Sequence, residues 1–406
     1  MQAVDPTLIP LKAPKGNEPN AKPAFQQPAE LGVLSNLKGT FTGTGFNMIF
    51  RPKANSLPAS TFPTPLSNPS EDNVLELNLT REKWVFSAPL DKVPNRGFGA
   101  QDDIDLGAVP YAQFVDDLTN PNSGKADDPN PLGIHFETGI FLQIPDTKTN
   151  PVIGNTLSRM ASIPHGTTIN AQGLAPSPSQ KQSGPPVIPS VNVTPFNPRD
   201  NHPISFESQI FGTGASSRLP QNLSKFNDNK SITPAILSNP NQVLSDANDK
   251  IKDKILDNIS FTVSTKRLDG QLGGGTSSIA FLEGADLNAG SQTSPNASVP
   301  EVTATFWLST VQHKILVPAG PAWKEGTPPA KATAVELPAG VQAPSFLVRR
   351  GEELKKDTVF TVKAKQMQYS QTVILFFGGL FWPHVSVATV VPFEREIGFG
   401  ELVKVG

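Results

Sequence analysis

Prolines interrupt this chain too often for it to be a helical protein. The 406 residues include 41 prolines and 32 glycines. Proline blocks helix interiors, but turns and the ends of strands tolerate it. The sequence therefore favours strands joined by long loops. Length alone suggests two or three domains, yet β-barrels with insertions often reach this size as one unit.

Hydrophobic periodicity places the strands. Apolar, β-branched runs with period-two alternation predict strands at 39–50, 74–86, 109–118, 133–144, 157–163, 259–266, 277–282, 302–312, 358–369, 371–377 and 382–391. Ten or eleven strands with one clear helix are typical of an all-β fold. We expect an antiparallel, lipocalin-like (calycin-type) barrel of about ten strands with long proline-rich loops.

The one clear amphipathic helix is predicted after Asn239. This residue suits an N-cap, and Pro240 suits the first helical position, with Gln242 three residues after Asn239. Apolar residues then recur at helical spacing at Leu244, Ala247, Ile251 and Ile255. A short helical lead-in is predicted at 31–37.

The chain is expected to form one domain behind an extended arm. Residues 1–30 are rich in Pro, Ala and Gln, so they predict an arm draped over the body or over a neighbouring subunit in a homo-oligomer. Residues 31–406 are predicted to be one barrel domain. Proline-rich insertions are expected at about 173–257 and 313–357.

Composition excludes several classes of function. The formal net charge is −2 without a basic cluster, which argues against nucleic acid as a partner. The absence of cysteine excludes disulfides, thiol catalysis and thiolate metal sites. Neither a signal peptide nor an apolar run long enough to span a bilayer is recognisable, so a cytoplasmic protein is expected.

The closing strand carries the first candidate site. Alternation along 382–391 places Trp382, His384, Ser386 and Ala388 on one face. Small residues beside the imidazole leave the space that a flat ligand held by one axial bond needs. The alternative is a half-buried histidine bonded to a backbone carbonyl. Mixed faces on 302–312 also suit a barrel whose interior binds a ligand.

Three stretches together resemble the nitrobindin-type, lipocalin-like haem-binding barrels. They are Leu37-Lys-Gly-Thr-Phe-Thr-Gly-Thr-Gly45, His135-Phe-Glu-Thr-Gly-Ile-Phe-Leu142, and the run from Tyr369 through Pro383-His384-Val385-Ser386-Val387-Ala388. The resemblance implies haem b with His384 as axial iron ligand and the ring against Trp382, Ser386 and Ala388. Those barrels are less than half this length, and their opening Trp is Phe41 here, so the chain resembles an enlarged branch.

Further polar residues have two interpretations each. His165, in the turn Pro164-His165-Gly166, is either a distal catalytic group or second ligand, or a tie within the turn. His135 with Glu137 is either an acid–base couple beside the cofactor or a structural link. Arg96 either pairs with a haem propionate or forms a salt bridge within its turn.

His202 and His313 are flanked by loop-like residues and are predicted to lie at the surface.

Three functions follow as expectations. The first is a haem protein whose iron binds small gases or reacts with peroxide or peroxynitrite, as a peroxidase-like oxidoreductase or a peroxynitrite isomerase. A distal His165 would favour peroxide chemistry. The second is a non-enzymatic carrier of a fatty acid or another apolar small molecule. The third is an assembly protein whose proline-rich arms wrap its neighbours.

Overall fold

The computed structural model describes residues 30–52, 73–147, 152–212, 214, 217–266, 274–278 and 297–405. The predicted arm lies outside these residues except for Glu30, as do residues 279–282 of the strand predicted at 277–282. The described strands are β1 (Gly39–Pro52), β2 (Asn73–Phe86), β3 (Leu90–Asn95), β4 (Ile104–Asp117), β5 (Thr119–Asn120), β6 (Lys125–Ala126), β7 (Leu132–Ile144), β8 (Thr156–Ser162), β9 (Thr167–Leu174), β10 (Gln182–Ser183), β11 (Arg218–Leu219), β12 (Ile255–Ser264), β13 (Gly275–Ser278), β14 (Ser298–Val317), β15 (Ala330–Val335), β16 (Ser345–Val348), β17 (Thr358–Phe377), β18 (Leu380–Pro392), β19 (Glu394–Ile397) and β20 (Val403–Lys404).

Helical structure in the described residues is short. The α-helices are α1 (Ser224–Asp228), α2 (Pro234–Ser238) and α3 (Gln242–Asp249), and the 3-10 turns are Gly32–Asn36, Pro178–Gln180, Glu207–Gln209, Lys252–Lys254 and Phe399–Glu401. No helix among these is long and apolar enough to cross a membrane.

Ten antiparallel strands close into a barrel, as predicted. Their order around the barrel is β1, β2, β4, β7, β8, β9, β12, β14, β17 and β18, and β18 pairs with β1 to close it. The strands predicted at 358–369 and 371–377 form the single strand β17. No strand was predicted where β9 lies. Its inward residues are mostly small or polar, so they leave no apolar alternation in the sequence.

One end of the barrel interior is filled with aromatic side chains. The ring centroids of Trp84 and Tyr111 lie 5.3 Å apart, and those of Phe261 and Phe306 lie 5.1 Å apart. The 3-10 turn Gly32–Asn36 closes this end by burying Val33 and Leu34 in the same cluster. The filled end leaves space for a ligand only toward the opposite end.

The segment between β9 and β12 covers the outer face of β1, β2 and β18. Outward side chains such as Met48 and Leu77 are buried there against Phe226 and Ile236 of the short helices. Burial on both faces explains why these strands carry apolar residues at successive positions, which differs from simple alternation.

The predicted helix is present but shorter than expected. It begins at Gln242 and ends at Asp249, so Ile251 and Ile255 lie beyond it, and Ile255 begins β12. Asn239 is not its N-cap, because it forms the C-cap of α2. Helices α1 and α2 span five residues each, too few for a helical period to show in the sequence.

A smaller layer extends β14 and β17 beyond the barrel. Strands β15, β16, β19 and β20 join it, around a core that includes Ile315 and Phe346. His313 is buried in this layer, 5.4 Å from the Phe346 ring, and burial lowers the pKa of its imidazole to about 4. The prediction of a surface position was therefore wrong, because His313 alternates in phase with Ile315 and Val317. His202 is exposed, as predicted.

Candidate functional site

The open half of the barrel contains a chamber of about 540 Å³. Such a volume is ordinary for a small-molecule site. The inward residues of β1, β2, β4, β17 and β18 form most of its wall, and the turn between β8 and β9 reaches its mouth.

One arc of the wall is polar. Asn47 of β1, Asn78 of β2, and His384 and Ser386 of β18 face the chamber there. Arg51 and Glu76 form an ion pair closer to the mouth. We call these six side chains the polar arc.

The adjoining arc is apolar, beginning at Val373 of β17, which pairs with His384 of β18. Val299 and Val302 of β14 and Val373 and Leu375 of β17 line the chamber together with Ile163 at the end of β8. We call these five side chains the apolar arc. A ligand in the chamber therefore meets hydrogen-bonding groups along one part of the wall and aliphatic side chains along another.

The floor of the chamber holds a buried carboxyl group. The hydroxyl of Tyr369 donates to Glu82 Oε1 and Oε2 at 2.8 and 2.9 Å, and Gln113 Nε2 donates to Oε2 at 3.2 Å. Trp84 Nε1 lies 3.3 Å from Oε2. Burial raises the pKa of Glu82 to about 7, although these donors oppose the rise.

A second buried network lies beside this floor. Arg159 Nη2 donates to Glu137 Oε1 at 2.7 Å, and Arg159 Nη1 donates to Gln371 Oε1 at 2.6 Å. The Tyr111 hydroxyl also donates to Glu137. Burial is the largest single influence and opposes ionisation of Glu137, but the Arg159 guanidinium, His135 and the Tyr111 hydroxyl together outweigh it and lower the pKa of Glu137 to about 2. Glu137 is therefore a carboxylate at neutral pH.

Two histidines meet at the chamber next to Glu137. His135 Nε2 lies 3.4 Å from Glu137 Oε2, and the His135 side chain is 19% exposed. The ring of His165 stands edge-on to it, with centroids 5.0 Å apart and planes at 86°. Burial is the main cause that lowers the pKa of His165, and the neighbouring His135 adds to this effect.

His384 occupies the polar arc in a hydrogen-bonded position. Its Nε2 lies 2.7 Å from Asn47 Nδ2, which also donates to Ser386 Oγ at 2.8 Å. Asn78 Nδ2 lies 3.3 Å from Asn47 Oδ1. Burial lowers the pKa of His384 to about 3, so the imidazole is neutral at physiological pH and accepts the amide hydrogen at Nε2. The predicted bond to a backbone carbonyl is replaced by one to a side chain.

The structure gathers four of the predicted site residues, namely His384, Ser386, His135 and His165, around the chamber. Ala388 is instead buried in the aromatic-filled end.

Trp382 also lies away from the chamber, although it alternates in phase with His384. Its ring stacks on Phe377 at 4.7 Å and packs with Phe50 and Phe206 in the outer cluster. These aromatic contacts, at the hairpin end of β18, draw the side chain out of the barrel.

Arg96 lies on the exposed loop between β3 and β4. Its Nη1 is 2.6 Å from Asp103 Oδ2, so it forms the turn salt bridge that was one of its two interpretations. It does not line the chamber.

Glu82, Arg159 and Asn47 were missed from the sequence. A usable signal existed for two of them, since Glu82 alternates in phase with Trp84 and Phe86, and Arg159 with Leu157. A charged residue in phase with core residues points into the barrel. Among the described residues, no group of three or more His, Asp or Glu side chains is placed to hold a metal ion.

Compared with family models, with curated proteins and with solved structures, the chain matches none of them.

Proposed function

We propose that this protein binds a small organic molecule in the barrel chamber. The observation that carries the proposal is the chamber of about 540 Å³, with its polar and apolar arcs, at the open end of a barrel whose other end is filled. Barrel interiors of this size are normally packed with side chains unless they hold a ligand.

The wall selects a compact amphipathic ligand. Aliphatic side chains of the apolar arc favour a hydrocarbon surface, while Asn78 and Ser386 of the polar arc offer hydrogen bonds. A long acyl chain would cover the polar side chains Asn78 and Ser386 with hydrocarbon, and removing polar groups from water without giving them new partners is costly. A fatty acid is therefore a poorer occupant than a short molecule with one polar edge.

A fluorescent probe tests this proposal. 1-Anilinonaphthalene-8-sulfonate combines an apolar ring system with one anionic group, so we expect saturable binding with a rise in its fluorescence. Val373→Trp should abolish that rise, because the indole fills the chamber from the apolar arc. The matched control is Val187→Trp, at a position 83% exposed. Equal probe binding by both variants, with circular dichroism unchanged, would place the ligand elsewhere and contradict the proposal.

Haem is a second candidate occupant, favoured by the neutral His384 imidazole on the chamber wall. The residues fit in donor type and protonation state, since iron is bound by neutral imidazole. The fit has one requirement, because Asn47 must release His384 Nε2. His384 would hold the group, Ser386 leaves room beside it, and His165 at the mouth could hold a proton. When bound, haem would supply an iron that takes small gases or peroxide.

Absorption spectra during haemin titration test this candidate. We expect His384→Ala to lose the Soret band and free imidazole to restore part of it, while His165→Ala keeps it. Asn47→Ala should strengthen haem binding, because it frees the ligating nitrogen. A Soret band that is unaffected by His384→Ala would exclude this histidine as the axial ligand.

A further inference from the structure

We propose that the chamber is an acid–base centre that shifts a proton within a bound carbonyl compound, with His135 as the base and Glu82 as the acid. It rests on the proposed function, because the reacting molecule must be the ligand of the chamber. Both side chains line the same cavity, on β7 and β2.

The base lies beside a buried, anchored carboxylate. Glu137 Oε2 has no hydrogen-bond partner among the described residues, and His135 Nε2 lies 3.4 Å from it. The other carboxylate oxygen is fixed by Arg159 and Tyr111. A carboxylate so anchored orients the imidazole and stabilises the imidazolium that forms when His135 accepts a proton. This explains why an ion pair lies buried inside the barrel, where packing alone would favour apolar residues.

The acid has the opposite environment. Three donors surround the Glu82 carboxyl, from Tyr369, Gln113 and Trp84, and Arg159 pairs with Glu137 instead of with Glu82. Without a cation in contact, burial favours the protonated carboxyl. Two carboxyl groups whose pKa values are driven apart, to about 7 and about 2, are typical of a site that needs one acid and one fixed charge.

The reaction is balanced without a further reactant. His135 removes the proton from a carbon next to the carbonyl, and that C–H electron pair becomes a carbon–carbon double bond. The carbonyl π pair moves to oxygen, which takes the proton of Glu82. For a substrate with a second carbon–carbon double bond at the β,γ position, the imidazolium then returns its proton to the γ carbon of the dienol. The enol oxygen gives its proton back to Glu82 as the carbonyl re-forms, and the remaining double bond moves to the α,β position. The product is an isomer, and no oxidant or reductant is consumed.

Cleavage of 5-nitrobenzisoxazole, which requires a base to remove a proton from carbon, tests the role of His135. Removal of the ring C–H breaks the N–O bond and releases a coloured phenolate, so the rate is read directly. We expect saturable turnover and a fall in kcat/KM of about 100-fold or more in His135→Gln. His135→Phe, which keeps a ring against His165, is the second variant should the first not fold. His202→Gln, on the surface, should leave the rate unchanged.

The pH profile tests the acid. Ionised Glu82 opposes the negative charge that develops on the leaving oxygen, so kcat/KM should fall as pH rises through about 7. In Glu82→Gln that fall should disappear, since the amide stays neutral. The groups that face Glu82 are Tyr369, Gln113, Trp84 and His135. A purely structural Glu82 would leave the shape of the profile unchanged.

Binding and turnover are separable outcomes. Displacement of 1-anilinonaphthalene-8-sulfonate measures whether 5-nitrobenzisoxazole enters the chamber. If it enters but is not cleaved, or if both His135 variants cleave it at the parent rate, the acid–base centre is refuted and the binding function stands. If it neither enters nor displaces the fluorophore, and the fluorophore itself does not bind, the proposed function is refuted together with the acid–base centre.

Discussion

At the residue scale, the barrel contains two carboxyl groups under opposite electrostatic control. Glu137 shares its site with the guanidinium of Arg159 and stays ionised, while the donors that the structure describes around Glu82 are neutral. The Arg159 guanidinium also lies 5.8 Å from the Trp84 ring centroid, so aromatic faces help to keep that cation inside the barrel. Because Arg159 pairs with Glu137, it does not hold Glu82 in the ionised form, and Glu82 can titrate.

The raised pKa of Glu82 has a consequence for stability. Its folded value of about 7 exceeds the reference value of 4.5, so the native state binds the proton more tightly than the unfolded chain. The stabilisation is complete below about pH 4.5 and is lost as pH rises through about 7. We expect this one group to lower the free energy of unfolding by about 3 kcal/mol across that window.

Denaturant unfolding at pH 5 and pH 8 measures this effect. The difference in unfolding free energy between pH 5 and pH 8 should shrink by about that amount in Glu82→Gln. Glu207→Gln, at the surface, should behave like the parent. Because other titrating groups act equally in parent and variant, the comparison isolates Glu82. An unchanged difference would mean that Glu82 is ionised throughout the window.

At the element scale, barrel closure depends on close approach between β1 and β18. Gly43 pairs with Val390, and a Cβ atom on Gly43 would lie 2.0 Å from the Thr389 carbonyl oxygen. Gly45 has the same constraint, with the Val387 oxygen at 2.2 Å. The Gly-Thr-Gly pattern of the first strand therefore has a physical reason in this fold, independent of any ligand.

Gly43→Ala tests that constraint. Because the strand backbone has to move to make room for the added methyl group, we expect a loss of about 1–3 kcal/mol or more in unfolding free energy. Gly154→Ala is the matched control, since its added Cβ would meet nothing within 4 Å. Equal denaturation midpoints for the two variants would show that the strands close without needing a glycine at this position.

At the scale of the whole molecule, the sequence predicts the strands better than it predicts the site. Apolar, β-branched runs, most of them with period-two alternation, locate nine of the ten barrel strands, because each strand turns at least one face to a buried core. Glu82 and Tyr369 are 287 positions apart, and only barrel closure brings their side chains together. His384 could be proposed from its own strand, whereas its partner Asn47 could not, since that contact depends on the register of β1 against β18.

Periodicity also could not predict the structure of the covering segment between β9 and β12. Its helices are short, and much of its order comes from single buried groups. Arg218 is fully buried there, and within the described part of the chain its guanidinium donates to backbone carbonyl groups, including those of Ser208 and Gln221. Such a centre organises irregular chain without leaving a repeating pattern in the sequence.

The central claim is that the chamber is the ligand site, and the methyl resonances of its wall test this claim most directly. In a titration with 1-anilinonaphthalene-8-sulfonate followed by methyl NMR, we expect saturable shifts for the methyl groups of the apolar arc, on Val299, Val302, Val373 and Leu375. The exposed Val187 and Leu174 should not move. Shifts confined to exposed methyl groups, with the apolar arc unchanged at saturation, would contradict the assignment of this chamber as the binding site.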